Sequence, residues 1–128
     1  MSISCPSLIV NYSPQLCVPV DNYCERTGAS FGAEPLNALT NVAFLIAAWA
    51  AWRLYLRHPH PHGAVRHQLQ ALIVTIAIVG FGSTLFHTVA TRWAEWGDVL
   101  PILLFMILYL WLLLTLFFGL PRAIGGSW

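Results

Sequence analysis

Three uninterrupted apolar runs dominate this sequence: Leu36–Tyr55, Leu69–Thr91 and Val99–Leu120. Each holds about 20 residues, which as a helix spans about 30 Å, the thickness of a bilayer's hydrocarbon core. The runs are too long for strands and do not alternate polar with apolar residues, which sets a barrel aside. The rest of the chain cannot give them a soluble surface. Only 9% of the 128 residues are charged and 58% are hydrophobic, where a soluble domain carries about 25% charged residues. The same composition excludes intrinsic disorder. A net charge of +1 with no basic stripe argues against nucleic acid as a partner. The expectation is an all-α integral membrane bundle of three transmembrane helices. It forms one small domain over residues 1–128, with residues 1–35 as an arm outside the membrane.

The connections fit that plan. Pro6, Pro14 and Pro19 interrupt the arm, which lacks the basic start and apolar core of a cleavable signal. The first span is therefore expected to act as its own insertion signal. The loop Leu56–Gln68 contains HPHPHGAVRH, where Pro59 and Pro61 forbid a continuous helix. Its histidines read as turn-rich loop composition, with adventitious metal binding as the alternative. Arg92–Gly97 is expected to form a short second loop, with Pro101 in the first turn of the third span, where a missing N–H costs little. All six basic residues are arginines, and Arg53, Arg57, Arg66 and Arg122 gather at the first loop and the C-terminus. The positive-inside rule puts that face in the cytoplasm and the arm outside. The five acids, Asp21, Glu25, Glu34, Glu95 and Asp98, then share the outer side. Cys5, Cys17 and Cys24 all precede the first span in no compact metal-binding spacing, and either one disulfide or none is open to them.

Polar residues inside a membrane span are costly, so they mark function or packing. The second span carries Gly80, Gly82, Ser83, Thr84, His87 and Thr88 toward its outer end. Ser83 and His87 lie four residues apart, on one helix face, and a short second loop can fold Asp98 back beside them. Two readings stay open. Gly, Ser and Thr let membrane helices approach closely, and a lone histidine can bond a neighbouring helix. Alternatively, a neutral imidazole ligates zinc while a nearby carboxylate orients it or takes a proton from a metal-activated water. A Ser-His-Asp triad fits less well, because no nucleophile elbow surrounds Ser83. In AEPLNALTN, Glu34, Asn37 and Asn41 share a face at the start of the first span. Glu34 there reads either as a cap at a helix N-terminus or, with Asp21, Asn22 and Glu25 of DNYCE, as part of an oxygen-rich calcium site. The spacing is not that of an EF-hand.

Taken together, DNYCER, AEPLNALTN and GFGSTLFHTVATRWAEWGDVLPI resemble the alkaline ceramidase family in its bacterial ceramidase-domain form. The likeness runs over most of the chain, from Asp21 to Leu112. That family consists of seven-helix membrane amidases, in a superfamily that includes adiponectin-type receptors. The resemblance implies a zinc-dependent hydrolase that cleaves the amide bond of ceramide or another N-acyl lipid, with membrane lipids around it. It implies His87 as a zinc ligand, with Ser83 and Asp98 beside the attacking water. It implies calcium on Glu25 and Glu34, on Asp21 or Asn22, on the backbone oxygen of Tyr23, and on Thr27, where the residue type is changed. The family's other two zinc ligands form an H-x-x-x-H pair on its last helix. Here His58, His60, His62 and His67 all lie in the opposite loop. The chain is therefore expected to correspond to the N-terminal half of a ceramidase-like protein and to lack turnover alone. A non-catalytic membrane module and a receptor-like superfamily member are the alternatives.

Overall fold

The computed structural model describes residues 5–26, 28, 32–58 and 63–118, leaving aside the side chain at position 64. The helices are α1 (Ser7–Tyr12), α2 (Pro35–Thr40), α3 (Val42–Arg57), α4 (Ala64–Val89) and α5 (Arg92–Phe118), with a 3-10 turn over Pro14–Cys17. No strand occurs among the described residues. Asn41 joins α2 to α3 with near-helical dihedrals, φ −67° and ψ −17°, so Pro35–Arg57 forms one span of 23 residues. With Val65–Val89 and Arg92–Phe118, three helices are long and apolar enough to cross a membrane. The expected all-α, three-span class is what the chain adopts.

Three local expectations need correction. α3 runs to Arg57 and α4 starts at Ala64, so the expected loop Leu56–Gln68 is helix at both its ends. Arg92–Gly97 is helix, not loop, and only Ala90 and Thr91 separate α4 from α5. Ala90 takes the left-handed conformation (φ 46°) and donates its N–H to the Phe86 carbonyl at 2.7 Å, closing α4. The arm holds that turn. Val20 N–H bonds the Ala90 carbonyl at 2.9 Å, and Arg92 N–H bonds the Val18 carbonyl at 3.0 Å. The polar sequence of this turn resembles a loop, yet Glu95 suits the first turn of a helix. Arg92 adds an ion pair to it at 3.0 Å. Pro101 consequently lies inside α5, beyond its first turn. It supplies no N–H to the Gly97 carbonyl, and its ring crowds that oxygen.

α4 is the centre of the bundle: α5, α3 and α2 all pack on it. Its buried positions Gln68, Leu72, Thr75, Val79, Ser83 and Phe86 recur every three or four residues. On α5, Ala94, Asp98 and Leu112 are buried and Pro101, Phe105 and Leu108 half-buried at the same spacing, so that one face of each helix meets the other. The two glycines of GFGS set the close approaches. A Cβ at Gly80 would sit 2.8 Å from Leu45 Cδ2 on α3, whereas one at Gly82 would overlap the Gly97 carbonyl oxygen on α5. Two positions along a helix are about 200° apart at 3.6 residues per turn, so one glycine serves each neighbour. Most of the remaining α5 surface, including Leu103, Met106 and Leu110, is exposed as a lipid-facing helix requires. In the arm, Cys5 and Cys17 form a disulfide and Cys24 is free and exposed.

Candidate functional site

The site lies where the arm meets the C-terminus of α4 and the N-terminus of α5. Its construction starts at α2. Pro35 occupies the first helical position and has no N–H, so the first unsatisfied donors are those of Leu36 and Asn37. Glu25 receives both: Oε1 accepts Leu36 N–H at 2.7 Å and Oε2 accepts Asn37 N–H at 3.1 Å. The cap is thus supplied from the arm, eleven residues upstream of Leu36. Glu34 stands at the N-cap position but makes no side-chain cap bond, which corrects the capping role read for it from the sequence.

Relieved of capping, the Glu34 carboxylate turns inward and is fully buried. Arg26 Nε donates to Oε1 at 2.6 Å. On Oε2, the His87 ring nitrogen Nδ1 lies at 2.5 Å and Asn37 Nδ2 donates at 3.3 Å. Burial alone pushes the Glu34 carboxyl up, but the hydrogen bonds from His87, Arg26 and Asn37 together hold it below the usual range. Tyr23 lies edge-on against His87, with ring centroids 4.8 Å apart. Burial, then the negative fields of Asp98, Glu34 and Glu95, push the Tyr23 hydroxyl up. His87 is 6% exposed, and the Phe86 ring lies 5.2 Å from the His87 ring and 6.0 Å from the Tyr23 ring between centroids.

Ser83 and Asp98 are buried on facing helices, each next to the Gly82–Gly97 contact. Asp98 Oδ1 has no hydrogen-bond partner. Ser83, His87, Asp98, Glu34 and Tyr23 therefore belong to one end of the bundle. Asp21 and Asn22 are exposed, and Thr27 lies outside the described residues. Sequence reasoning gave no role to Arg26, which is 7% exposed here. Its signal was available: one cation within DNYCER, beside the acid-rich start of the first span. The described loop histidines are remote. His67 lies in the first turn of α4, 20 residues before His87, about 30 Å along the helix; His60 and His62 lie outside the described residues.

The donor set fits zinc in part. A metal-binding histidine characteristically gives its other ring nitrogen to a carboxylate, and Glu34 stands in that relation to His87, leaving Nε2 for a ligand bond. Among the described residues, however, no group of three or more His, Cys, Asp and Glu side chains could hold a metal. For calcium the fit fails. Glu34 is occupied by a guanidinium, an imidazole and an amide. Each Glu25 oxygen faces a backbone N–H of α2, and among the described residues the expected acids form no group of three that could hold a metal.

Comparison with known proteins returns one family: the sequence profile described as Ceramidase matches residues 20–122. Among curated proteins and among solved structures, none matches the chain.

Proposed function

The chain belongs to the ceramidase family, and from that premise we propose that it carries part of a zinc-dependent amidase site for an N-acyl lipid, such as ceramide, at the arm end of the bundle. One observation carries the reading. His87 is buried in the membrane-spanning helix α4 with Nδ1 on Glu34 at 2.5 Å, an arrangement in which Nε2 is the nitrogen that would ligate a metal. Zinc, when bound, supplies Lewis-acid polarisation of the amide carbonyl and a water made acidic enough to attack at neutral pH.

The residues present here would act around that metal. Asp98 receives the proton from the attacking water and passes it to the amide nitrogen as the C–N bond breaks. Water and amide thereby give a carboxylic acid and an amine. The Ser83 hydroxyl donates a hydrogen bond to the oxygen that gains charge at the reacting carbonyl. Tyr23 and Phe86 shield His87 from water. The apolar groove between α3 and α4, about 470 Å³ and lined by Leu45, Trp49, Trp52, Ala77 and Phe81, is where an acyl chain would lie. The arm end faces out of the cytoplasm in this reading, with Arg53, Arg57 and Arg66 inside.

The test is release of labelled fatty acid from an N-acyl sphingoid lipid by membranes containing the protein. The chain alone is expected to release none, and a version joined to the family's H-x-x-x-H helix is expected to show zinc-dependent release that falls at least about 100-fold in His87→Ala and similarly in Asp98→Asn. Unchanged hydrolysis in His87→Ala would sink the assignment. A second reading, a membrane module without catalysis, draws on the absence of a three-member metal group among the described residues. A version joined to the H-x-x-x-H helix that releases no fatty acid at any zinc concentration would favour it.

A further inference from the structure

We infer that the Arg26 guanidinium is the resident cation joining the arm to α2 and α4, standing where the family resemblance expects calcium, so that this joint needs no divalent metal. Arg26 Nε lies 2.6 Å from Glu34 Oε1, with the two side chains 2% and 0% exposed. Nη1 donates to the Gly28 carbonyl at 3.1 Å, and the Arg26 N–H closes a turn onto the Tyr23 carbonyl at 3.0 Å. The other Glu34 oxygen carries His87. One fixed positive charge thus reaches the arm through Gly28, the entry to α2 through Glu34 and, across that carboxylate, α4 through His87. A calcium ion on the expected ligands would have to join the arm to that same entry.

The chemistry favours one cation or the other and disfavours both. A second cation at Glu34 would sit beside the guanidinium in a place closed to solvent, where like-charge repulsion is weakly screened. Arginine suits the position because it stays charged at every ordinary pH and presents N–H groups in a planar fork that can reach two acceptors at once. Glu25, the other expected calcium carboxylate, is engaged by the backbone of α2. The inference goes beyond the proposed hydrolysis and does not depend on it.

The experiment is thermal unfolding of the purified full chain in detergent, in excess EGTA and across a calcium titration, for wild type, Arg26→Ala and Arg26→Lys. A calcium site filled at about 100 times its Kd would raise the Tm of a chain this size by roughly 10 °C. Wild type is expected to stay within about 2 °C throughout. In EGTA, Arg26→Ala should melt roughly 10 °C lower, with Arg26→Lys between the two because it keeps the charge and loses the fork. A saturable calcium-dependent rise in wild type would overturn the inference, as would an Arg26→Ala protein as stable in EGTA as wild type. If Arg26→Ala does not fold, the wild-type titration and Arg26→Lys decide. These readouts are independent of hydrolysis, so an inactive protein leaves the inference standing and a calcium-stabilised one leaves the amidase reading standing.

Discussion

At the arm end of α4, Ser83, His87 and Thr91 are buried together with Arg26, Glu34, Asn41 and Asp98, which come from the arm, the α2–α3 span and α5. At the other end Gln68 is buried, and its amide reaches Thr115 on α5 at 3.3 Å while its Oε1 has no partner. Both ends belong to one helix of apolar composition. The difference lies in how many segments supply partners. Where the arm folds over the helix ends, charged groups can be buried because acids and bases arrive from separate parts of the chain. At the Gln68 end, which the arm does not reach, the buried group is a neutral amide. A polar residue within a span therefore costs little or much according to what covers it.

The largest effect that could break this comparison is at Glu34. Glu34→Ala leaves Arg26 and His87 buried without their shared partner, and a loss of about 3–5 kcal/mol is expected, read as a fall in unfolding free energy in detergent. A loss below about 1 kcal/mol would mean that the arm end is no more demanding than the other. Next comes the helix contact beneath the site. Gly82→Ala places a Cβ against the Gly97 carbonyl, a backbone atom that cannot swing away, and should cost about 1–3 kcal/mol. Gly80→Ala meets chiefly the end of the Leu45 side chain and should cost less than Gly82→Ala in the same assay. Equal losses would show that the α3 and α5 contacts are alike in rigidity. The smallest effect is expected at the far end. Gln68→Leu removes a long hydrogen bond together with an unpartnered oxygen, and stability should change by less than about 1 kcal/mol. A larger loss would erase the contrast between the ends.

Much of the fold was legible because apolar length is a local property. A run of some 20 apolar residues has few alternatives to a spanning helix. The grouping of Ser83, His87 and Asp98 was legible too, since α-helical spacing and a short connection leave those residues at one end. The start of α5 was misread because Arg92, Glu95 and Gly97 look like a loop by composition. Their helical state depends on the backbone bonds from the arm at Val18 and Val20 and on the Arg92–Glu95 pair. The exchange of roles between the two glutamates was hidden for a similar reason. Glu34 and His87 are 53 residues apart, and no periodicity relates them.

The sequence by itself determined a helical membrane protein with three spans, a polar cluster at one end and membership of a known family's pattern. Those features follow from hydropathy, helical period and motif. The tertiary structure decided which carboxylate caps α2 and which one holds His87, that Arg26 is the cation between arm and helices, and that Gly80 and Gly82 serve different neighbours. Hydrogen bonds and close contacts act over a few ångströms, so only the folded chain, by bringing distant segments within that range, selects each partner.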